Sequence, residues 1–145
     1  MAKTTFMHFG LTVSDLDRTA DFYTKYFGFK KNMAHRFPKE FISDSDALYR
    51  QPEGVYSDMA MLESEDGVVL EVFQFSNVEK AGPAEWQKTG YHHLAFKVES
   101  IPELYERMKA DGIEFFFPPK KRMPTEPGHW IFFKDPDGNM IELWD

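Results

Sequence analysis

Cysteine is absent from this chain of 145 residues, which excludes disulfides, thiolate metal ligands and thiol nucleophiles. Long apolar runs are missing too: nothing approaches the roughly 18 consecutive apolar residues of a membrane helix. The opening MAKTTFMHFG carries one lysine and no extended apolar core of the kind a secretory leader needs. A cytoplasmic location without membrane contact is expected. Positive charge is scarce. The formal net charge of −7 argues against a surface built for nucleic-acid phosphates, and the cluster Lys120, Lys121, Arg122 reads as a solvated loop. There is no glycine-rich phosphate loop and no Ser/His/Asp context. What is present is core material. Hydrophobic residues make up 42% and aromatics 17% of the chain, enough for one ordinary domain over residues 1–145.

The chain repeats itself in grammar more than in identity. His8 stands five residues before Val13, and Ser14 follows; His93 stands five residues before Val98, and Ser100 follows. Ser14 with Asp17 and Ser100 with Glu103 both resemble the start of a capped helix, and Pro102 suits a first turn. Apolar spacing continues through Leu16, Ala20, Tyr23, Tyr26 and Phe27, and through Leu104, Tyr105 and Met108. Gly28 and Gly112 end the two helices. Later, Asp66-Gly67 precedes Glu71, and Asp137-Gly138 precedes Glu142, each an Asp-Gly turn into a strand. Partner strands are expected over about 56–63 and 130–134, and a further strand after each helix, over about 29–37 and 113–117.

Each half therefore reads strand–helix–strand–strand–strand, an α+β arrangement. Module one covers about 4–76, a linker about 77–90 and module two about 91–145. His8 to Glu71 spans 63 residues, against 49 from His93 to Glu142. The surplus lies between Pro38 and Gly54 and is expected to be an inserted loop near one mouth of the site.

Strand parity selects the site residues. Phe9, Leu11 and Val13 share one face, suited to the helix. Phe6, His8, Gly10 and Thr12 share the other. In the second half Leu94, Phe96 and Val98 oppose His93, Ala95 and Lys97, so parity selects His93 rather than His92. Glu71 and Glu142 sit within the apolar runs VVLEVFQF and MIELW, where an ionised carboxylate is costly unless paired or bound to a cation. Val69 and Phe73 flank Glu71 on its face, as Met140 and Trp144 flank Glu142. Two imidazoles and two carboxylates suit a divalent first-row metal, with positions left open for a small substrate. His35 is expected to be exposed. His129 is a candidate substrate contact beside Trp130.

These residues resemble the vicinal oxygen chelate superfamily, the glyoxalase/bleomycin resistance/dioxygenase group, over nearly the whole chain. The resemblance rests on His8 with Val13, Ser14 and Asp15; on Asp21-Phe22-Tyr23 with Phe27-Gly28-Phe29; on Leu70-Glu71-Val72-Phe73; on His93-Leu94-Ala95-Phe96; and on Asp135-Pro136-Asp137-Gly138-Asn139 with Ile141-Glu142-Leu143. It implies two paired βαβββ modules whose curved sheets surround a metal, within one chain or between two, and so a homodimer. The ligand set His8, Glu71, His93 and Glu142 is similar to that of bacterial glyoxalase I, which implies Ni2+ or Co2+, with Zn2+, Mn2+ or Fe2+ as other occupants. The implied reaction isomerises a small substrate with vicinal oxygens through an enediolate, with Glu142 or Glu71 moving the proton. Methylmalonyl-CoA epimerases usually carry Gln where this chain has Glu71. An Fe2+ extradiol-type dioxygenase would use His8, His93 and Glu142 alone, and a bleomycin-resistance-like binding protein would need none of the four.

Two positions depart from the glyoxalase I pattern. Arg is common there where this chain has Thr12, and Asn where it has Phe75. Neither residue replaces the contacts that hold glutathione. Phe73, Phe75, Trp130 and Trp144, with Phe6 and Met140 beside them, point instead to a more apolar or aromatic substrate.

Overall fold

A computed structural model of the chain describes residues 3–124 and 126–145. The chain divides into two units, Met1–Lys80 and Ala81–Asp145, each a four-stranded sheet carrying one long helix. The segment expected as a linker, 77–90, straddles that boundary and holds no helix or strand. Among the described residues no helix is long and apolar enough to cross a membrane.

In the first unit, β1 (Phe9–Thr12) leads to α1 (Leu16–Phe27), then β2 (Lys30–Phe37), β3 (Ser57–Glu63) and β4 (Val69–Phe75). The sheet order is β1-β4-β3-β2, with β1 parallel to β4 and the other pairs antiparallel. One sheet face buries Ala60, Leu62, Leu70 and Val72 together with Leu16, Ala20, Tyr23 and Tyr26 of the helix. A large apolar side chain buried this fully stabilises by about 1.5–3 kcal/mol. Asp15, not Ser14, caps α1: its carboxylate accepts from Arg18 N at 2.9 Å. Ser14 Oγ is instead taken by the Arg18 guanidinium at 2.7 Å. Asp and Ser are near-equal caps, so capping chemistry alone left this one-residue choice open. Gly28 closes the helix at φ +69°, a left-handed conformation that suits glycine.

The expected inserted loop is helical. Residues 39–49 form α2 (Lys39–Asp44) and α3 (Asp46–Tyr49), anchored by Ile42, which is 2% exposed. Neither helix has a side-chain cap, so tertiary packing rather than local sequence holds them.

The second unit repeats the plan. Its elements are β5 (His93–Lys97), α4 (Ile101–Ala110), β6 (Lys120–Met123), β7 (Glu126–Lys134) and β8 (Met140–Trp144), in sheet order β5-β8-β7-β6. Ser100 caps α4, accepting from Glu103 N. Ile101, Leu104 and Met108 pack with Ile131, Phe133, Ile141 and Leu143. The strand expected at 113–117 is reduced to one bridge, Phe115 to Phe133, while regular pairing begins at Lys120. Pro118 and Pro119 explain the break, because neither has an N–H to give to the ladder. β7 also starts earlier than expected, at Glu126.

Candidate metal centre and its clefts

The two glutamates sit at the same place in their ladders. Glu71 pairs with Gly10 on the parallel strand and Met61 on the antiparallel one. Glu142 pairs with Ala95 and Phe132. Each Glu therefore lies opposite the residue two places after its histidine, on the face away from the helix. His8, immediately before β1, brings Nε2 to 3.2 Å from Glu71 Oε2. His93, the first residue of β5, brings Nε2 to 3.3 Å from Glu142 Oε2. The carboxylates are the more buried partners, 20% and 13% exposed against 31% and 25% for the imidazoles. Among the described residues, no three or more His, Cys, Asp or Glu side chains gather into one metal-holding group. Each unit thus presents one His–Glu pair.

The two imidazoles are held differently. His8 Nδ1 is buried without a hydrogen-bond partner, so its ring is oriented by Glu71 and packing. His93 Nδ1 lies 2.8 Å from Nδ1 of His92. One of these nitrogens must carry the proton. When it is that of His93, Nε2 is a bare lone pair facing Glu142. Trp86 lies tilted against both rings, 4.2 Å from His92 and 5.5 Å from His93, with Phe132 edge-on to His93.

Beside each pair lies a cleft. In the first unit Thr12, Glu71, Phe73 and Phe75 meet Phe37, Leu48, Tyr49 and Gln51 around about 460 Å3. In the second unit Trp130, Met140 and Phe132 meet Trp86, Phe116 and Phe117 around about 490 Å3. A few polar groups beside an apolar wall are the usual form of a small-molecule site.

A family model described as the Glyoxalase/Bleomycin resistance protein/Dioxygenase superfamily matches residues 5–143. The chain belongs to that superfamily. Its similarity to the lactoylglutathione lyase of Schizosaccharomyces pombe is 29% identity over 99% of this chain and 50% of that protein. To a probable lactoylglutathione lyase of Vibrio cholerae it is 27% identity over 99% of this chain and 91% of that one. The chain thus spans half the length of the yeast protein. A crystal structure of a glyoxalase family protein from Bacillus cereus superposes with a TM-score of 0.79, covering 99% of this chain and 97% of that one at 20% identity. That likeness speaks for the fold, two βαβββ modules.

Within this superfamily frame the expected site residues separate. Thr12, Phe73 and Phe75 line the first cleft. Trp130 and Met140 line the second. Trp144 shares the Glu142 face by register, but its ring lies 4.4 Å under the Arg122 guanidinium and outside the cleft lining. Phe6 precedes β1, is 77% exposed and lines neither cleft. His129 faces the other side of its sheet from Trp130 and Phe132. Its Nδ1 lies 3.3 Å from Asp145 Oδ2, and its backbone N–H donates to the same carboxylate. Strand alternation is the physical reason: the neighbours of Trp130 point away from it. His35 is exposed, as expected, with its ring 5.2 Å from Phe37.

Sequence reasoning missed Phe37, Leu48, Tyr49 and Gln51 in the first cleft and Trp86, Phe116, Phe117 and Phe132 in the second, and it set aside His92, which lies against His93. Parity along β2 places Phe37 on the Glu71 side through its pairing with Ser57. Nothing local in the sequence marks Trp86.

Asp135 and Asp145 show what the remaining acidic motif residues do. Burial raises the Asp135 carboxyl, against three hydrogen bonds at 2.9 Å from Asp137 N, Asn139 N and Asn139 Nδ2. The Asp-Pro-Asp-Gly-Asn motif is thus a built turn that sets the start of β8 and hence Glu142. Burial also works to raise Asp145. Hydrogen bonds from Ile101 N, His129 N and the His129 ring outweigh it and hold that carboxyl below its ordinary value.

Proposed function

We propose that His8, Glu71, His93 and Glu142 are the ligands of one divalent-metal centre, and that the protein is a glyoxalase-like lyase or isomerase acting on a small substrate with neighbouring oxygens. The observation that carries this reading is the matched His–Glu pair of each unit, at the same ladder register and with nearly equal Nε2–Oε2 separations. The donor chemistry fits: two imidazole nitrogens and two carboxylate oxygens suit Ni2+, Co2+, Zn2+ or Mn2+. The nitrogen of His8 that faces Glu71 is Nε2, as it is for His93 and Glu142, so both imidazoles would offer the same donor atom. Bound there, a divalent cation supplies Lewis-acid polarisation of a substrate carbonyl.

The chain's own residues do the rest. Glu71 or Glu142 takes a proton from one carbon and returns it to its neighbour, the role of a general base and then acid. Phe73 and Phe75 in one unit, and Trp130, Phe132 and Met140 in the other, keep water from the carboxylates. Apolar walls of this kind strengthen the electrostatics inside the site. A homodimer belongs to the same reading, as one of the two ways the superfamily completes its site.

Retention of Glu71 beside His8 favours this lyase over the ring-cleaving oxygenase, whose chemistry needs three ligands. The test is metal analysis of protein purified without chelator, then stripped and reloaded with Ni2+, Co2+, Zn2+ or Mn2+. Tight binding lost in both His8→Ala and His93→Ala is the expected result. Failure to bind any of these ions removes the proposal. Oxygen uptake with catechols would assign the oxygenase instead.

A further inference from the structure

Five aromatic rings form a closed belt beside Glu71, and four of them, Phe37, Tyr49, Phe73 and Phe75, line the cleft there, while Phe41 stacks on Phe37 outside the lining. Phe37 stacks on Phe41 at 4.6 Å and 16°. Phe41 meets Tyr49 at 6.4 Å, and Tyr49 meets Phe75 at 5.9 Å. Phe75 lies 6.2 Å from Phe73, and Phe73 lies 6.1 Å from Phe37, which returns the circuit to its start. Three rings come from the sheet, at the end of β2 and along β4. Phe41 and Tyr49 come from α2 and α3, the helices of the 38–54 insertion.

The belt is not core. Ile42, 2% exposed, anchors α2, whereas its neighbour Phe41 is 43% exposed and Leu48 is 74% exposed. Large apolar side chains gathered at a surface cleft mark a place where something binds. The chemistry of the lining says what kind of group enters. Glu71 is the one charged side chain on it, and no Lys or Arg is among the lining residues. Gln51 is committed to the chain: its Nε2 donates to Tyr49 O at 3.1 Å and its Oε1 accepts from Asn77 at 3.0 Å. A carboxylate-bearing ligand would find no lysine or arginine on the lining to hold it. A neutral planar ring meets aromatic faces and edges at the 4.5–7 Å spacing such rings prefer among themselves, in roughly the geometry of a protein aromatic pair. An apolar cavity of about 150 Å3 already takes benzene, so the cleft of about 460 Å3 holds a ring with a substituent.

We propose that this belt is a specificity-determining subsite for an uncharged aryl group, built by the 38–54 insertion, which sets the atoms attached to the ring beside Glu71. The proposal rests on the metal-centre reading for the chemistry that follows binding, though not for the binding itself.

The test uses the full chain, stripped of metal, with acetophenone as the aryl probe and cyclohexyl methyl ketone as its non-planar analogue, followed by ligand-observed NMR titration. Wild type is expected to bind acetophenone saturably and the cyclohexyl ketone at least about threefold more weakly, the low end of the preference aromatic pairs show. Tyr49→Ala, at the insertion ring that lines the cleft, should weaken acetophenone about threefold to tenfold by the same scale, with Tyr49→Phe restoring it. Leu48→Lys, at an exposed rim position, should weaken it as well, and Tyr91→Ala, outside the cleft, should leave it unchanged. Absence of saturable binding overturns the proposal. So do equal affinities for the two ketones, or Tyr49→Ala and Phe75→Ala proteins that bind like wild type. Because the titration needs no metal, a protein that discriminates the ketones yet takes up no metal keeps the subsite and loses the metal centre. One that binds metal but ignores the aryl probe does the reverse.

Discussion

His92 offers a perturbation whose size follows from the geometry. Its Nδ1 is 2.8 Å from Nδ1 of His93, and its ring is stacked on His93 at 4.9 Å and under Trp86 at 4.2 Å. His92→Phe keeps a flat ring in that stack and removes only the nitrogen–nitrogen hydrogen bond. In the metal reading, that bond fixes the His93 proton on Nδ1 and leaves Nε2 bare beside Glu142. Loss of such a supporting partner typically costs 10- to 100-fold in metal affinity, roughly 1.4–2.8 kcal/mol. We expect Ni2+ or Co2+ affinity, read by competition with a chelating dye, to fall at least about tenfold. Thermal unfolding in chelator should stay unchanged, because packing is preserved. The Co2+ visible spectrum should shift as the imidazole loses its fixed orientation. A variant that binds within about twofold of wild type would show that the His92–His93 bond does not orient a ligand, and would refute the reasoning.

Four further outcomes follow from individual side chains. Thr12→Arg, which puts a guanidinium on the cleft beside Glu71, should raise kcat/KM for a glutathione hemithioacetal roughly tenfold or more, the range of a charge-assisted contact; steady-state kinetics with a thiol lacking carboxylates should not improve. Asp145→Asn should lower stability at neutral pH by about 1–3 kcal/mol, since an amide cannot accept from Ile101 N and His129 N as the carboxylate does. Because the folded Asp145 carboxyl lies below its ordinary value, its contribution is present above that value and lost as pH falls through the folded one. The variant's acid-unfolding curve should therefore be flatter there. Gly128→Ala, with φ +97° and a Cβ that would come within 2.6 Å of Asp145 O, should destabilise by roughly 1–3 kcal/mol in a denaturant titration. Gly10→Val should preserve the melting temperature but abolish metal or ligand uptake, because the new side chain would project over Glu71.

Much of the fold was legible in the sequence because it is written twice. His-to-Val spacing, the helix ends at Gly28 and Gly112, and the Asp-Gly turns before Glu71 and Glu142 reinforce one another across levels. Strand parity assigned the helix faces of both sheets, and it separates Phe73 and Phe75 from Val72. Parity has nothing to say of a residue before the ladder begins, and it corrects an expectation drawn from sequence neighbours alone. Phe6 precedes β1 and follows no ladder, and His129, next to Trp130 in sequence, lies on the opposite side of β7. The helices of the 38–54 insertion were invisible for a different reason. Six and four residues long, they are too short to show a period and have no side-chain cap to announce them. Asp145, by contrast, bridges Ile101 and His129, partners 44 and 16 residues away in the chain, and no local pattern encodes such a link.

The duplication also explains why some positions of the two sheets agree and others do not. Opposite each glutamate stands a small residue, Gly10 in the first unit and Ala95 in the second. Gly10 is not there for its backbone: it is absent from the glycines with positive φ, and a Cβ built on it meets nothing within 4 Å. What the position supplies is open space on the Glu71 face, next to the strand that carries the carboxylate. Adjacent strands lie about 4.8 Å apart, so a large side chain there would stand over Glu71 and close its approach. The same argument holds for Ala95 and Glu142. Register and smallness are therefore shared between the units, while the walls have diverged. Insertion residues Leu48 and Tyr49 line one, whereas Trp86 and the proline-interrupted edge with Phe116 and Phe117 enclose the other. Shared positions are those that a common chemistry would need, and the unshared walls are where recognition of a particular substrate can vary without disturbing it.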